Sequence, residues 1–330
     1  MMCLDDMRVK VSREAVSRVF EHKNSSSQPG FGQALHGIAL CVLAGACTGN
    51  GAMVMDSSDS EHQRPAYRSS TLSFSAIGVG ENHACGLKEE GGVACWGVND
   101  DGQAVEQSGE FVEIAAGADH SCAVDLDGLV SCWGGDWEGQ SSPFGSSYRA
   151  LALGNWHSCG LRTDGGVRCW GSNERSQVYP PENVVFAQLA AGDWHNCGID
   201  TEGELHCWGD SGAGQASSPK GSFDAVCAGI AHSCALDKEG RVVCWGDDSF
   251  DQLVVPEGSF EGIGCGGHFS CAWDSVGVAQ CWGDNRRGQS AVPEEAFSFV
   301  SGGLNHVCGR TTVGNVLCWG QDEDDRISPP

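Results

Sequence analysis

The 330-residue chain repeats one stretch, read most clearly as Gly154-Asn155-Trp156-His157-Ser158-Cys159-Gly160-Leu161 followed by Gly165-Gly166-Val167-Arg168-Cys169-Trp170-Gly171. Six altered copies accompany it. The first cysteines of the seven copies are separated by 37, 37, 38, 37, 37 and 37 residues, and a second cysteine always follows ten residues after the first. A fixed period of this length is typical of repeat proteins in which neighbouring units bury one another.

Each unit also carries a glycine four residues before its second cysteine, Gly165 in the stretch quoted. If Leu161 pairs with Val167 in an antiparallel hairpin, Gly165 ends a three-residue loop, where a left-handed residue is needed. The same register places Cys159 opposite Cys169 in a non-hydrogen-bonded pair, with Cα atoms about 4.5 Å apart, which suits a disulfide. The sequence predicts seven such disulfides: Cys85–Cys95, Cys122–Cys132, Cys159–Cys169, Cys197–Cys207, Cys234–Cys244, Cys271–Cys281 and Cys308–Cys318.

Six units contain His-x-Cys, which allows an alternative interpretation as metal sites. The partners follow a hairpin register, however, and lack the compact Cys-x-x-Cys pairs of zinc sites. We therefore expect no metal and no cofactor, and we interpret the histidines as buried groups that bond to the backbone. They are His83, His120, His157, His195, His232 and His306.

The predicted hairpin is filled on both faces. Leu161, Cys159 and His157 lie on one face, and Trp170 lies opposite the small Ser158 on the other. An aromatic and an aliphatic residue three apart precede each hairpin and predict a further strand by β propensity. A sheet buried on both faces fits between two similar sheets, so we predict an all-β, seven-bladed propeller over residues 71–330.

The first 70 residues differ from the repeats. Residues 34–46 form an apolar run too short to span a bilayer as a helix, and residues 1–47 are predicted to be a signal or lipoprotein-type leader. Cys47 resembles the lipidated cysteine of bacterial lipoproteins, although the leucine lies one position further away than usual. Lipidation, plain secretion and a cytosolic protein remain alternatives. Residues 48–70 are polar and are predicted to be a flexible linker.

Cysteine content favours export, because sixteen cysteines in residues 71–330 would be unusual in a reducing compartment. We expect an extracellular or cell-envelope location, which includes the outer membrane if Cys47 is lipidated. Two cysteines lie outside the hairpin pattern, Cys227 and Cys265, in the strands before consecutive hairpins. They could join neighbouring blades. Alternation along a strand points them to opposite faces, however, which disfavours a bridge.

The net charge is −25, and residues 71–330 carry it, with 12 Lys and Arg against 37 Asp and Glu. A protein that binds a nucleic-acid backbone needs the opposite sign. The acidity either keeps an exported protein soluble or attracts a cationic partner. Any membrane contact is expected only through the N-terminal lipid.

The pattern Gly-x-x-His-Ser-Cys-x-Leu, then Gly-x-Val-x-Cys-Trp-Gly-x-Asn and Gly-Gln, resembles the repeats of the regulator of chromosome condensation family in all seven units. This resemblance implies a seven-bladed propeller, and the paired cysteines resemble those of its secreted bacterial branch. Phe269 in unit 6 and Asp325-Arg326 in unit 7 depart from the pattern.

Activity does not follow from this resemblance. The eukaryotic namesake exchanges nucleotide on a small GTPase and binds chromatin. Units of 37 or 38 residues leave no room for an elaborated catalytic loop, and the acidity argues against chromatin. Propeller-type β-lactamase inhibitory proteins, which are secreted relatives, bind a protein through the loops of one face. We therefore predict no catalytic residues and no enzyme.

The loop before each His-x-Cys strand varies while its surroundings stay constant, and repetition places all seven loops on one rim. Tryptophan is a preferred anchor at interfaces. Trp156, Trp194 and Ile230 come from consecutive units and are expected to be neighbours, although packing over the hairpins is an alternative role for the indoles. The predicted binding residues are Asn82, Asn155, Trp156, Asp119, Asp193, Trp194, Ile230, His268 and Asn305.

Three functions are consistent with these features. The first is a monomeric, non-enzymatic propeller that binds a protein partner through this rim. The second is a glycan- or cell-wall-binding module, because exposed tryptophan also stacks on sugars. Only two adjacent units carry tryptophan in these loops, which favours a single protein epitope over repeated sugar sites. The third, an enzyme in the central channel, lacks a recognisable catalytic motif.

Overall fold

A computed structural model describes residues 67–330; the predicted leader, Cys47 and most of the predicted linker lie outside the described residues. The described chain forms β-strands joined by turns. The strands are β1 Tyr67–Val79, β2 His83–Lys88, β3 Val93–Gly97, β4 Phe111–Ala116, β5 His120–Asp125, β6 Val130–Gly134, β7 Tyr148–Leu153, β8 His157–Arg162, β9 Val167–Gly171, β10 Phe186–Ala191, β11 His195–Asp200, β12 Leu205–Gly209, β13 Phe223–Ala228, β14 His232–Asp237, β15 Val242–Gly246, β16 Gly262–Cys265, β17 Phe269–Trp273, β18 Ala279–Gly283, β19 Phe297–Gly302, β20 His306–Thr311 and β21 Asn315–Gly320.

Each repeat supplies three antiparallel strands, and seven such units form the blades of a propeller. The all-β, seven-bladed prediction is confirmed. The first strand of each unit lines the centre of the ring, and the hairpin of the second and third strands lies outside it. Within residues 67–330, no helix is long and apolar enough to cross a membrane.

The hairpin register agrees with the sequence prediction. Leu161 pairs with Val167 and Cys159 with Cys169, and Gly165 adopts a φ of +83°. All seven predicted hairpin disulfides form, with Cα–Cα distances of 4.0 to 4.1 Å. The spacing of ten residues therefore determines the core of each blade.

A β-bulge explains the aromatic and aliphatic residues three apart in the inner strands. Phe111 pairs with Asp125, but Glu113 pairs with Val124, so one extra residue lies in β4. Without it, Phe111 and Ile114 would face opposite sides of the sheet; the extra residue brings them to the same side. The same register shift occurs in β1, β7, β10, β13 and β19.

Polar contacts join neighbouring blades through buried side chains. The Nε2 atom of His120 lies 2.8 Å from Ser158 Oγ in the next blade, and Ser158 Oγ donates to the Gln140 carbonyl at 2.9 Å. The Trp170 indole N–H donates to the same carbonyl at 2.8 Å. The tryptophan of Cys-Trp-Gly and the histidine are therefore core groups. The sequence analysis did not predict that the Gln140 carbonyl would accept both bonds at the blade junction.

The ring closes through β1. Its first part pairs with β21, with Tyr67 opposite Trp319, and its last part pairs with β2, with Gly78 opposite Cys85. The Ser70 hydroxyl accepts from the Val316 N–H at 2.9 Å. Residues 67–70 were predicted to be part of the linker, but they belong to the closing strand because their backbone pairs with the last blade.

The expectation that Cys227 and Cys265 would not be joined is wrong. They form a disulfide between β13 and β16, with Cα atoms 5.5 Å apart. Their side chains do point to opposite faces of their own blades. In a radial arrangement, however, one face of a blade meets the opposite face of the next, so this alternation brings the two thiols together.

Removing this inter-blade disulfide is expected to destabilise the propeller more than removing a hairpin disulfide. A bridge spanning 38 residues restrains the unfolded chain more than one spanning ten, by about 3–4 against 2–3 kcal/mol in the chain-entropy model. The guanidinium midpoint of Cys227→Ala/Cys265→Ala is compared with that of Cys122→Ala/Cys132→Ala. A larger fall in the midpoint for the hairpin variant Cys122→Ala/Cys132→Ala would contradict the prediction.

Candidate functional site

The candidate site lies on the loops between the first and second strand of each blade, which we call the upper rim. It comprises residues 80–82, 117–119, 154–156, 192–194, 229–231, 266–268 and 303–305. Each loop is a tight turn: the Gly154 N–H donates to the His157 carbonyl at 2.9 Å, and the Trp156 carbonyl accepts from the Ser172 N–H at 2.8 Å. Both bonds recur in all seven units.

Backbone hydrogen bonds also connect the loops to each other around the channel mouth. Six of the seven junctions have one: Glu81 N–H to Gly117, Ala118 to Gly154, Asn155 to Asp193, Ile230 to Gly267, Gly267 to Gly303 and Leu304 to Glu81. The bonds link the loops of the upper rim at every junction except that between the fourth and fifth blades. Side chains on this rim are therefore positioned before any partner binds, which limits the entropy lost on binding.

Successive residues of each loop have different surroundings. The residues four before the first cysteine line the channel mouth: Glu81, Ala118, Asn155, Asp193, Ile230, Gly267 and Leu304. Ile230 lies there beside Gly267 and Leu304. The upper rim thus places Asn155 and Asp193 inward, while Trp156 and Trp194 belong to the next position outward.

The two tryptophans are neighbours, as the sequence predicted. Their ring centroids are 5.1 Å apart at an interplanar angle of 80°, an edge-to-face arrangement. Trp156 is 37% exposed and Trp194 is half-buried, whereas Trp170 of the Cys-Trp-Gly series is only 4% exposed. The pair therefore offers aromatic surface to solvent, unlike the tryptophans that pack between blades.

Carboxyl groups crowd the channel mouth. Burial, followed by the charges of Asp193 and Asp119, raises the pKa of Glu81 to about 7. Burial raises the pKa of Asp193 to about 6, and burial with the charge of Asp101 raises that of Asp119. These shifts mean that the mouth disfavours further negative charge and would be stabilised by a cation.

The remaining predicted residues are distributed around the rim. His268 packs on Phe250 of the preceding unit, with ring centroids 4.7 Å apart, and Arg286 covers the same Phe250 ring with its guanidinium carbon 4.4 Å from the centroid. Asn82, Asp119 and Asn305 are half-buried. Each lies in the upper-rim loop of a blade other than those of Trp156 and Trp194.

Family comparison accounts for the repeats. The model of the regulator of chromosome condensation (RCC1) repeat matches residues 74–103, 111–140, 148–177, 186–215 and 223–252. Five of the seven units of this propeller are RCC1 repeats. No curated protein sequence matches it.

Solved structures show the same architecture. The ectodomain of the receptor kinase CR4 from Physcomitrella patens is 26% identical with a TM-score of 0.65, covering 76% of this chain and 73% of that one. The ectodomain of ACR4 from Arabidopsis thaliana is 26% identical with a TM-score of 0.64, over 75% and 96%. Prp20p from Saccharomyces cerevisiae is 18% identical with a TM-score of 0.60, over 76% and 83%.

The central channel of this RCC1-repeat propeller encloses a cavity of about 640 Å³. Its polar side chains bond to neighbouring inner strands: Arg310 Nε donates to the Phe74 carbonyl at 2.7 Å, and Gln188 Oε1 accepts from the Val226 N–H at 3.1 Å. Burial raises the pKa of Glu113 to about 7, although a hydrogen bond from the Leu151 backbone opposes this rise. These side chains hold adjacent blades of the RCC1-repeat ring together.

Two groups in the described residues bring possible metal ligands together. Cys227, Cys234 and Cys265 form one, but all three sulfurs are in disulfides. Asp200, Glu204 and His206 form the other. There Asp200 Oδ1 accepts from the Glu204 N–H at 2.8 Å, and Oδ2 lies 2.7 Å from His206 Nε2. The Asp200 carboxylate is therefore already used to shape the hairpin turn of this repeat.

Glu81 lies in the site but is absent from the binding residues predicted from sequence. It occupies the same loop position as Asp193, four residues before the first cysteine, so the repeat alignment contained the signal. The raised pKa of Glu81 depends on burial at the channel mouth and on the charge of Asp193 from the fourth blade. Only the closed ring of RCC1 repeats brings these two carboxyls near each other.

Proposed function

We propose that the protein is a non-enzymatic, secreted or lipid-anchored propeller that binds a protein partner through the upper rim, centred on Trp156 and Trp194. The edge-to-face pair of indoles, in which Trp156 is exposed and Trp194 is half-buried, carries this proposal. Large aromatic side chains on a rigid scaffold supply contact area at low entropic cost and are common anchors of binding energy.

Charge supports a partner with a cationic surface. Glu81, Asp119 and Asp193 lie at or beside the channel mouth next to the tryptophan loops, and partial burial has raised the pKa of each. A lysine or arginine side chain entering the mouth would relieve the repulsion among these carboxyls. It would also speed association at low ionic strength, because the propeller carries most of the net charge of −25.

Eight disulfides support export, since paired cysteines persist in oxidising compartments. The two plant structures similar to this chain are receptor ectodomains. Prp20p is similar to this chain in fold alone, and that protein binds Gsp1p and histones. The leader and Cys47 would determine whether the exported protein is released or lipid-anchored.

The double substitution Trp156→Ala/Trp194→Ala is expected to weaken partner binding at least about 100-fold, because hot-spot aromatics contribute about 2–4 kcal/mol. The full chain is used to capture proteins from envelope extracts, and affinity for the captured partner is then measured at low and high salt. The melting temperature should change little, since Trp156 is exposed.

Trp137→Ala provides the matched control, because Trp137 is 63% exposed and belongs to a different loop. This control should retain binding. Equal losses of affinity in the double variant and in Trp137→Ala would contradict the proposed epitope. A large fall in the melting temperature of the double variant would also contradict it. Capture of glycan or peptidoglycan instead of protein would support the sugar-binding alternative.

A further inference from the structure

Five junctions between blades share one buried arrangement of hydrogen bonds. A histidine of one blade bonds through Nε2 to a serine or asparagine of the next: His83–Ser121, His120–Ser158, His157–Asn196, His195–Ser233 and His232–Ser270. The partner of His157 is the amide oxygen of Asn196 at 2.9 Å. Because that oxygen only accepts, Nε2 carries the proton.

A tryptophan donor completes these junctions. The indole N–H donates to the backbone carbonyl of a glutamine in the preceding unit, as in Trp133 to Gln103 at 2.9 Å. This second bond occurs at six junctions: Trp133–Gln103, Trp170–Gln140, Trp208–Gln177, Trp245–Gln215, Trp282–Gln252 and Trp319–Gln289. The histidine Nε2 atom and the indole N–H therefore each have a partner at these junctions.

The junction between the sixth and seventh blades loses a donor and its acceptor together. Phe269 replaces the histidine and Val307 replaces the serine; both are buried in one apolar cluster. Trp319 keeps its glutamine carbonyl at 2.9 Å. Replacing both partners of a buried hydrogen bond by apolar groups costs little, so this junction remains satisfied.

The closing junction between the seventh and first blades loses only the acceptors. His306 is retained, but Ala84 stands at the serine position and Arg326 at the glutamine position. Within residues 67–330, Trp96 Nε1, Arg326 Nε and both ring nitrogens of His306 have no hydrogen-bond partner. By analogy with His157, we assign the proton of neutral His306 to Nε2. Trp96 is 6% exposed and His306 is fully buried. A buried donor without a partner costs about 1–3 kcal/mol.

Backbone conformation explains why the carbonyl of Arg326 does not replace that of a glutamine. Asp324 and Asp325 both adopt positive φ, 60° and 57°, before Arg326. In the first unit, by contrast, Gly102 alone has positive φ before Gln103. The last turn therefore follows a different path, and the Trp96 indole N–H lacks the acceptor that its six counterparts have.

We propose that the closing junction binds a small monovalent anion such as chloride, held by the N–H groups of Trp96, His306 and Arg326. An anion supplies only acceptor capacity. A water molecule would bring two more donors to a place that already has three. The guanidinium of Arg326 adds positive charge near His306, and its Nη2 end pairs with the exposed Asp324 at 3.2 Å. The anion would thus link the first and last blades.

Halide dependence of stability tests this proposal. With the full chain at constant ionic strength, exchange of gluconate for bromide should raise the melting temperature by about 2–4 °C at saturation, because a ligand that binds only the folded state stabilises it. In crystals grown in bromide, an anomalous difference peak should lie within hydrogen-bonding distance of Trp96 Nε1.

Two variants distinguish this site from a general salt effect. Ala84→Ser/Arg326→Gln restores the side chains of the other junctions and should abolish the halide response while the protein folds. Ser121→Ala removes the acceptor of His83 but keeps the Gln103 carbonyl for Trp133, and it should create no additional response. The proposal is wrong if the unmodified chain shows no halide response, or if the junction contains only water or a side chain from residues 1–66.

Discussion

Reduction of the disulfides is expected to abolish folding at 37 °C. Each hairpin bridge contributes about 2–3 kcal/mol and the inter-blade bridge about 3–4 kcal/mol in the chain-entropy model. Eight bridges together exceed the usual net stability of about 5–15 kcal/mol. Even if preformed hairpins halve these contributions, the reduced chain would retain little stability.

The measurement is refolding from denaturant with and without reductant, followed by circular dichroism and alkylation of free thiols. The oxidised protein should have no free thiol among residues 67–330 and should yield Cys85–Cys95 and Cys227–Cys265 as linked peptides. Reductant added to the folded protein should act slowly, because Cys85 is fully buried. A reduced chain that melts cooperatively would contradict this prediction.

The hairpins could be predicted from sequence because their contacts are local. Ten residues and one turn glycine determine that Cys159 faces Cys169, and the observed pairing follows that register. The strand before each hairpin was also predictable by propensity. The bulge that aligns Phe111 with Ile114 was not, since an extra residue shows only in the pairing with β5.

Contacts between blades were harder to predict, because they depend on how sheets face one another. Alternation along the strands correctly predicted that Cys227 and Cys265 point to opposite faces of their blades. Radial packing, however, brings those two faces of neighbouring blades together. Nothing local in the sequence marks Gln140 as a junction residue, because its carbonyl accepts from Trp170 of the next blade.

The candidate site was predictable in part. Repetition placed the variable loops on one rim and made Trp156 and Trp194 neighbours, as observed. The sequence did not show which residue of each loop faces the channel. Successive side chains of the turn point in different directions, and one of them lines the channel mouth. Ile230 lines the mouth, and its expected proximity to the indoles stays a prediction.

Acidification is expected to destabilise the propeller strongly between pH 6.5 and about 4. Burial lowers the pKa of six histidines from 6.5 to about 3 or 4; they are His83, His120, His157, His195, His232 and His306. Below pH 6.5 the unfolded chain binds protons that the folded chain does not. Each histidine therefore removes about 1.4 kcal/mol of stability per pH unit until its folded pKa is reached.

The three carboxyls whose pKa is raised most act in the opposite direction. The folded pKa is raised to about 7 for Glu81 and Glu113 and to about 6 for Asp193. Their contribution to stability is complete below the ordinary carboxyl pKa and is lost as the pH rises through 6 to 7. Six histidines outweigh three carboxyls, so the net loss from pH 6.5 to 5 is about 5 kcal/mol.

Guanidinium unfolding between pH 5 and 7.5 measures this loss, and the variant His120→Phe/Ser158→Val assigns it to the junctions. That variant copies Phe269 and Val307 of the junction between the sixth and seventh blades, which contains no titrating group at these positions. Its stability should fall less steeply below pH 6.5, by about 1.4 kcal/mol per pH unit. An unchanged slope would mean that His120 is not kept neutral by burial, and stability that rises on acidification would mean that the carboxyls of the channel dominate.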